Sequence, residues 1–227
     1  MKTLLIETSG PVGLVGLALN NQLIAECRLD ENRKHCQDLA PTVRALLAEQ
    51  GWKPAEVQAV FVSLGPGSYT GLRVGVMAAK AFAYAVSCKL IGVPTLNVLA
   101  AAALGKYPRV EVIEDAQQGR VYTQRFEPDA RGLPCHLGPI AVFEHEAWLA
   151  QLDPAFTLTG PGLGKKHDCL TSHQSLTPTE FWTPTLAALT RLGAAKAHEG
   201  TCDDPLSLEP IYARMSSAEE KWTALGR

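Results

Sequence analysis

The chain has 227 residues, 46% hydrophobic and 19% charged, with a net charge of −2. At ~150 residues per domain this is one large unit or two small ones, and it is too apolar for a disordered charged tail. The slightly negative charge excludes an overall basic field that gathers nucleic acid, so any dealings with RNA need a local patch or a partner.

The elements begin at once. Thr3–Ile6, Leu14–Leu19 and Gln22–Leu29 read as three short strands joined by the turn residues Ser9–Gly13 and Asn20-Asn21, an antiparallel opening meander. A helix follows, with Asp38 as its cap, Pro41 in its first turn and Gly51 past its end. Leu39, Val43, Leu46 and Leu47 make its apolar stripe. Val57–Val62 is short, apolar and β-branched, as a buried strand is. It runs into a glycine-rich turn, Leu64 to Arg73, and a helix reaching about Val86. Val93 onward reads as a loop, Leu96–Leu104 as an Ala-rich helix, and 105–108 as a natural break. Strands then recur at Val110–Asp115 and Val121–Phe126, with a helix near Glu144–Gln151, a strand near Phe156–Thr159, a glycine turn at 160–164, a helix over Thr185–His198 and a mixed tail. Strand–turn–strand then helix, twice, predicts two α/β lobes, 1–105 and 106–227.

Compartment signals are plain. The six cysteines (27, 36, 88, 135, 169 and 202) are scattered without a C-x-x-C pair and read as reduced thiols. No stretch approaches the ~18 apolar residues of a membrane span, and the apolar run at the start is too short for a signal segment. A soluble cytoplasmic protein is expected.

The glycine turn carries most of the chemistry. Gly65, Gly67 and Gly71 permit positive φ and close backbone approach, and a loop opening a helix presents N–H groups to anions. Neither the Walker pattern nor G-x-G-x-x-G is met, so tight packing of helix under strand is the preferred reading. In the helix itself Gly71, Gly75, Ala79 and Ala83 recur every four residues. Such a stripe lets another backbone come close, either within one lobe or from another subunit. On the second reading, Gly75→Leu or Ala79→Leu weakens association while leaving the fold largely intact.

Catalytic groups are thin. Glu7 and Asp115 end strands and could face one cleft, although a lone acidic residue there is more often a loop cap. A helix metal site of the H-x-x-x-H kind fails because Leu39 stands one turn after His35. Distant His136 or His145 could in principle contribute a ligand, but a metal here is disfavoured, and His167, Cys169 and His173 fit no common ligand spacing. No G-x-S-x-G elbow is present, and neighbouring His35 and Cys36 diverge in direction. The residues read as a globular α/β protein with a lost or incomplete active site.

The run Gly65, Pro66, Gly67, Ser68, Tyr69, Thr70, Gly71, Leu72, Arg73, Val74, Gly75 resembles the hallmark of the bacterial TsaB (YeaZ) family, part of the ASKHA superfamily of acetate and sugar kinases, Hsp70 and actin. The resemblance spans the chain. Leu4–Ser9 looks like the family's opening strand and turn, and His35–Pro41 like its H-S-E-x-L-x-P helix start. Asp115–Tyr122 looks like its D-A-R-R-G-E-V-Y hairpin, and Pro210–Arg214 with Ala218–Glu220 like its P-x-Y-L-R and A-E-E. Three departures stand out. Glu7 replaces the usual Asp, Gln117 and Gln118 replace two arginines, and Cys36 and Gln37 replace Ser and Glu.

The resemblance implies a two-lobed ASKHA fold, actin-like and RNase H-like, with a mixed sheet and helices in each lobe. It also implies a non-catalytic subunit of a tRNA threonylcarbamoyl transferase complex. Its partner would be TsaD, the paralogue that modifies the adenosine beside the anticodon, in a heterodimer. TsaE, an ATPase, is a further partner, a homodimer forms in isolation, and tRNA is met through the complex. No cofactor is bound tightly, and ATP is used by the complex. The interface implied is Leu39 and Val43 with Gly71, Leu72, Gly75, Val76, Ala79 and Ala83; Glu7 and Asp115 mark a weak nucleotide cleft. The competing expectation is an active metal- or ATP-dependent ASKHA enzyme, a phosphotransferase or metalloprotease. A direct RNA-binding module is disfavoured by charge and by the 7% aromatic content.

Overall fold

A computed structural model describes residues 1–29, 35–165, 170 and 174–212. The first sheet has the order β3-β2-β1-β4-β5, with β1 (Lys2–Glu7), β2 (Leu14–Leu19), β3 (Gln22–Arg28), β4 (Ala59–Ser63) and β5 (Lys89–Val93). The first three strands form the expected meander. Asn20 and Asn21 both take left-handed φ at the β2–β3 turn, which matches the twist of a two-residue hairpin. β4 and β5 join β1 in parallel. All five residues of β4 are buried, as an apolar strand covered on both faces requires.

One face of this sheet carries α1 (His35–Glu49) and α2 (Tyr69–Val86). Leu39, Val43, Leu46 and Leu47 of α1 enter the core there, as their spacing predicts. Asp38 lies inside the first turn of α1 rather than capping it, and Gly51 follows the end with φ +65°. The other face carries α5 (Leu186–His198), capped by Thr185, whose hydroxyl accepts from Ala188 N at 3.2 Å. Leu186, Leu189 and Leu192 pack there with Leu5, Phe61 and Ile91. Phe61 is fully buried, a contribution of about 2–3 kcal/mol for one aromatic side chain.

The second sheet has the order β10-β6-β7-β8, with β9 also paired to β7. Its strands are β6 (Val110–Asp115), β7 (Arg120–Pro128), β8 (Pro134–His136), β9 (Ala141–Glu144) and β10 (Thr157–Thr159). Helix α3 (Thr95–Ala103) packs Leu96, Leu99 and Ala103 against Val110, Val112 and Phe126. The short α4 (His145–Leu149) buries Trp148.

Several expectations change. The strand expected from Val57 begins at Ala59, and β5, β8 and β9 were not anticipated. Lys89–Val93 is a five-residue run with a central glycine, and pairing with β4 is what makes it a strand. The glycine turn after β10 becomes a 3₁₀ helix over Pro161–Lys165. The packing also corrects the expected second unit of residues 106–227, because α5 lies on the first sheet. The tail beyond Tyr212 lies outside the described residues.

Candidate functional site

A cleft of about 1190 Å³ opens between the two sheets, where the carboxyl end of β1, the glycine loop and the β6–β7 hairpin converge. Glu7 sits at its base, buried. Its carboxylate accepts from Ser9 N at 2.6 Å and from the hydroxyls of Ser9 and Ser63. Burial holds its carboxyl above the usual range despite these hydrogen bonds. Across the cleft, burial pushes Glu114 up to about 8, and the charges of Asp115 and Glu7 add to that rise. Asp115 accepts from Gln117 N at 2.8 Å through Oδ1, so it caps the hairpin turn, the ordinary role of an acid at a strand end. Gln117 and Gln118 in that turn both take left-handed φ, ahead of Gly119.

The glycine loop borders the same cleft through Pro66, Gly67, Ser68, Tyr69 and Thr70. Ser68 caps α2, its hydroxyl accepting from Gly71 N at 3.3 Å. Ser68 N donates to Ser9 O at 2.7 Å, and a Cβ on Gly67 would stand 2.4 Å from that same oxygen. On the other side Gly65 N donates to Thr95 Oγ1 at 3.0 Å and Thr95 N returns a bond to Gly65 O at 2.8 Å. The loop is thus seated on β1 and on the start of α3. Arg73 leaves the first turn of α2 and lies over the Tyr69 ring, 4.2 Å from its centroid.

The charged side chains lining the cleft are mostly acidic. Three carboxyl groups, Glu7, Glu114 and Asp115, face one cationic side chain, Arg28, among the described residues. Both oxygens of Glu7 are already occupied by protein donors.

The small-residue stripe turns inward. Gly71, Gly75, Ala79 and Ala83 are buried within the chain, together with Leu72 and Val76. A Cβ on Gly71 would stand 2.1 Å from Thr8 O, and one on Gly75 2.0 Å from Thr8 Oγ1. The reading of this stripe as a subunit interface is therefore corrected: the end of β1 already occupies it, and Gly75→Leu cannot leave the fold intact. Leu39 and Val43 are core residues as well, although they also floor an apolar groove of about 510 Å³ between α1 and α2. Trp52, Ala78 and Phe82 complete that groove.

The outward face of α2 is what the stripe left unread. Arg73, Met77, Ala81 and Tyr84 are exposed along it, Met77 at 63% and Tyr84 at 69%. Their signal was in the helical wheel, on the side opposite the small residues.

Leu39 is in the core, and among the described residues no group of three or more His, Cys, Asp and Glu side chains comes together. His136 is exposed on β8, while His145 opens α4 against Trp148. The side chains of His35, Cys36 and Lys165, and residues Arg33, Lys34, Lys166, His167, Cys169 and His173, lie outside the described set. Cys27, Cys88, Cys135 and Cys202 are free thiols. No helix among the described residues is long and apolar enough to cross a membrane.

Residues 29–134 match the family model described as TsaD, tRNA N6-adenosine threonylcarbamoyltransferase. Over 98% of both chains the protein is 29% identical to the tRNA threonylcarbamoyladenosine biosynthesis protein TsaB of Bacillus subtilis. It is 27% identical to the protein of that name from Escherichia coli, over 97% of this chain and 98% of the relative. A crystal structure from Pseudomonas aeruginosa, of a protein described as similar to peptidase YEAZ, superposes with a TM-score of 0.81 at 25% identity, covering 94% of this chain and 99% of that one. With the β3-β2-β1-β4-β5 sheet, the second mixed sheet and the cleft between them, the chain is similar over nearly its whole length to proteins named TsaB and shares the mixed α/β fold of the YeaZ-like structure.

Proposed function

We propose that this chain serves tRNA threonylcarbamoyladenosine biosynthesis as a non-catalytic subunit, docking a TsaD-class transferase through the outer faces of α1 and α2. The observation that carries the reading is the exposure of Met77 and Tyr84 on α2, beside the apolar groove floored by Leu39 and Val43. Large apolar side chains bordering a groove are what a helical partner surface supplies with anchors. The cleft argues in the same direction. Its deepest carboxyl group is engaged by serines of its own chain, so that group is not free to serve as a general base or ligand without breaking those bonds.

The cytoplasm is where this reading places the protein. The heterodimer is its working form, and a homodimer on the same face is the form expected without the transferase. TsaE acts on the heterodimer as the further, ATP-hydrolysing partner. ATP is used by the complex, and tRNA is engaged by the complex rather than by this chain alone. The test is reconstitution: transferase, TsaE-class ATPase, ATP, a threonylcarbamoyl donor and tRNA are combined with and without this chain, and modified adenosine is measured by mass spectrometry. Modification that depends on the chain supports the reading, and equal modification without it overturns the reading.

A further inference from the structure

Beyond α5 the chain turns back over the first sheet, and residues 203–212 touch several elements in succession. Asp203 N donates to Leu90 O at 2.8 Å, and Gly92 N donates to Asp203 Oδ2 at 2.7 Å, which closes part of the β5 edge. Lys80 of α2 then reaches across, its ammonium donating to Leu208 O at 2.8 Å and to Leu206 O at 3.4 Å. Ile211 N donates to Leu64 O at 2.7 Å, where the glycine loop begins. Gly65 has φ +103°, and a Cβ there would stand 3.0 Å from Ile211 O, so loop and segment are fitted to each other. Finally Arg73 Nε donates to Tyr212 Oη at 3.0 Å, and the Tyr212 ring lies 5.1 Å from that of Tyr69. Ile211, Tyr212 and Tyr69 all border the cleft.

We propose that residues 203–212 are a strap linking the outer face of α2 to the rim of the cleft, and that docking of the partner transferase on that face tightens it. This rests on the docking proposed above. Lys80 and Arg73 hold the strap by charge-assisted hydrogen bonds at the surface, where water weakens them. A partner seated over Met77 and Tyr84 lowers the local dielectric around Lys80 and strengthens its bonds to the two strap carbonyls. The strap then fixes Leu64 and Tyr212, and with them the glycine loop.

The test is hydrogen–deuterium exchange at the Ile211 amide, in the free chain and in complex with a TsaD-class transferase. The expected result is exchange about tenfold slower in the complex, with that slowing lost in Lys80→Met and kept in Lys80→Arg. Equal slowing in Lys80→Met means that the partner merely covers the strap, and overturns the proposal. A complex that forms with no change at Ile211 overturns it too, while leaving the docking intact. Absence of any complex overturns the docking and the strap with it. Should Lys80→Met itself prevent assembly, Tyr212→Phe serves instead: it keeps the ring and deletes the acceptor for Arg73, and unchanged slowing in that variant is the overturning result.

Discussion

Thr8 is driven into the flank of α2 opposite Gly75: a Cβ on that glycine would stand 2.0 Å from Thr8 Oγ1. The contact locks the end of β1, which places Glu7 in the cleft, against the helix that opens at the glycine loop. It explains why a helix apolar on most of its surface carries its smallest residues in one line.

Gly75→Ala is expected to cost about 1–3 kcal/mol, the range for overpacking a tight contact. Thr8 Oγ1 is buried and has no hydrogen-bond partner among the described residues, so Thr8→Ala alone should change stability little. The double variant should recover much of the loss, because removing the hydroxyl makes room for the new methyl group. Urea unfolding of the two single variants and the double one measures this coupling. Simple additivity would show that the two residues do not meet.

Exposed positions on the same helix should behave in the opposite way. Met77→Asp and Tyr84→Ala change surface side chains and are expected to shift stability by no more than about 0.5 kcal/mol. Association with the transferase should fall at least tenfold, read by calorimetry or gel filtration. Full retention of binding in the pair would remove the outer face of α2 from the interface.

Stability should depend on pH through Glu114. Its carboxyl is raised from the ordinary 4.5 to about 8 in the folded chain, so the unfolded chain ionises first as pH rises. Below pH 4.5 both states are protonated and the group contributes no penalty. Between there and about 8 the folded state loses stability with each step up in pH, and above 8 the loss levels off. Glu7 is shifted in the same direction and adds to the trend. Thermal unfolding of Glu114→Gln should show a flatter profile across this window and a higher midpoint than the parent at pH 8. An unchanged slope would count against the buried carboxyl as its source.

In the second lobe Glu111 binds three donors from β7 and α4. Its carboxylate accepts from Thr123 Oγ1 at 2.7 Å, Arg125 Nε at 2.8 Å and Trp148 Nε1 at 3.1 Å. Glu111→Ala leaves the indole and hydroxyl donors in an apolar setting, and a loss of roughly 2–3 kcal/mol is expected. Denaturant unfolding followed by tryptophan fluorescence checks it, with Arg125→Met as the milder comparison because Arg125 is partly solvated.

Local patterning carried most of the individual elements and the family resemblance. The turn-bounded strands β1–β3 and the i, i+4 stripe of α1 are short-range properties, so they were legible without a fold, whereas the Ser68 cap emerged only from the structure. The strand β5 was not, since five residues interrupted by Gly92 become a strand only beside β4. Glu7 and Asp115 were legible as strand ends, whereas Glu114, one residue away, was missed because only its desolvated place in the cleft wall distinguishes it.

The sequence by itself determined which side chains share each face of α2: the small residues at 71, 75, 79 and 83 on one side, Met77 and Tyr84 on another. Only the tertiary structure decided which face is already taken. Helical periodicity orders residues around an axis but carries no information about what lies beyond it. Thr8 fills part of the small-residue side, while Met77 and Tyr84 stay exposed among the described residues.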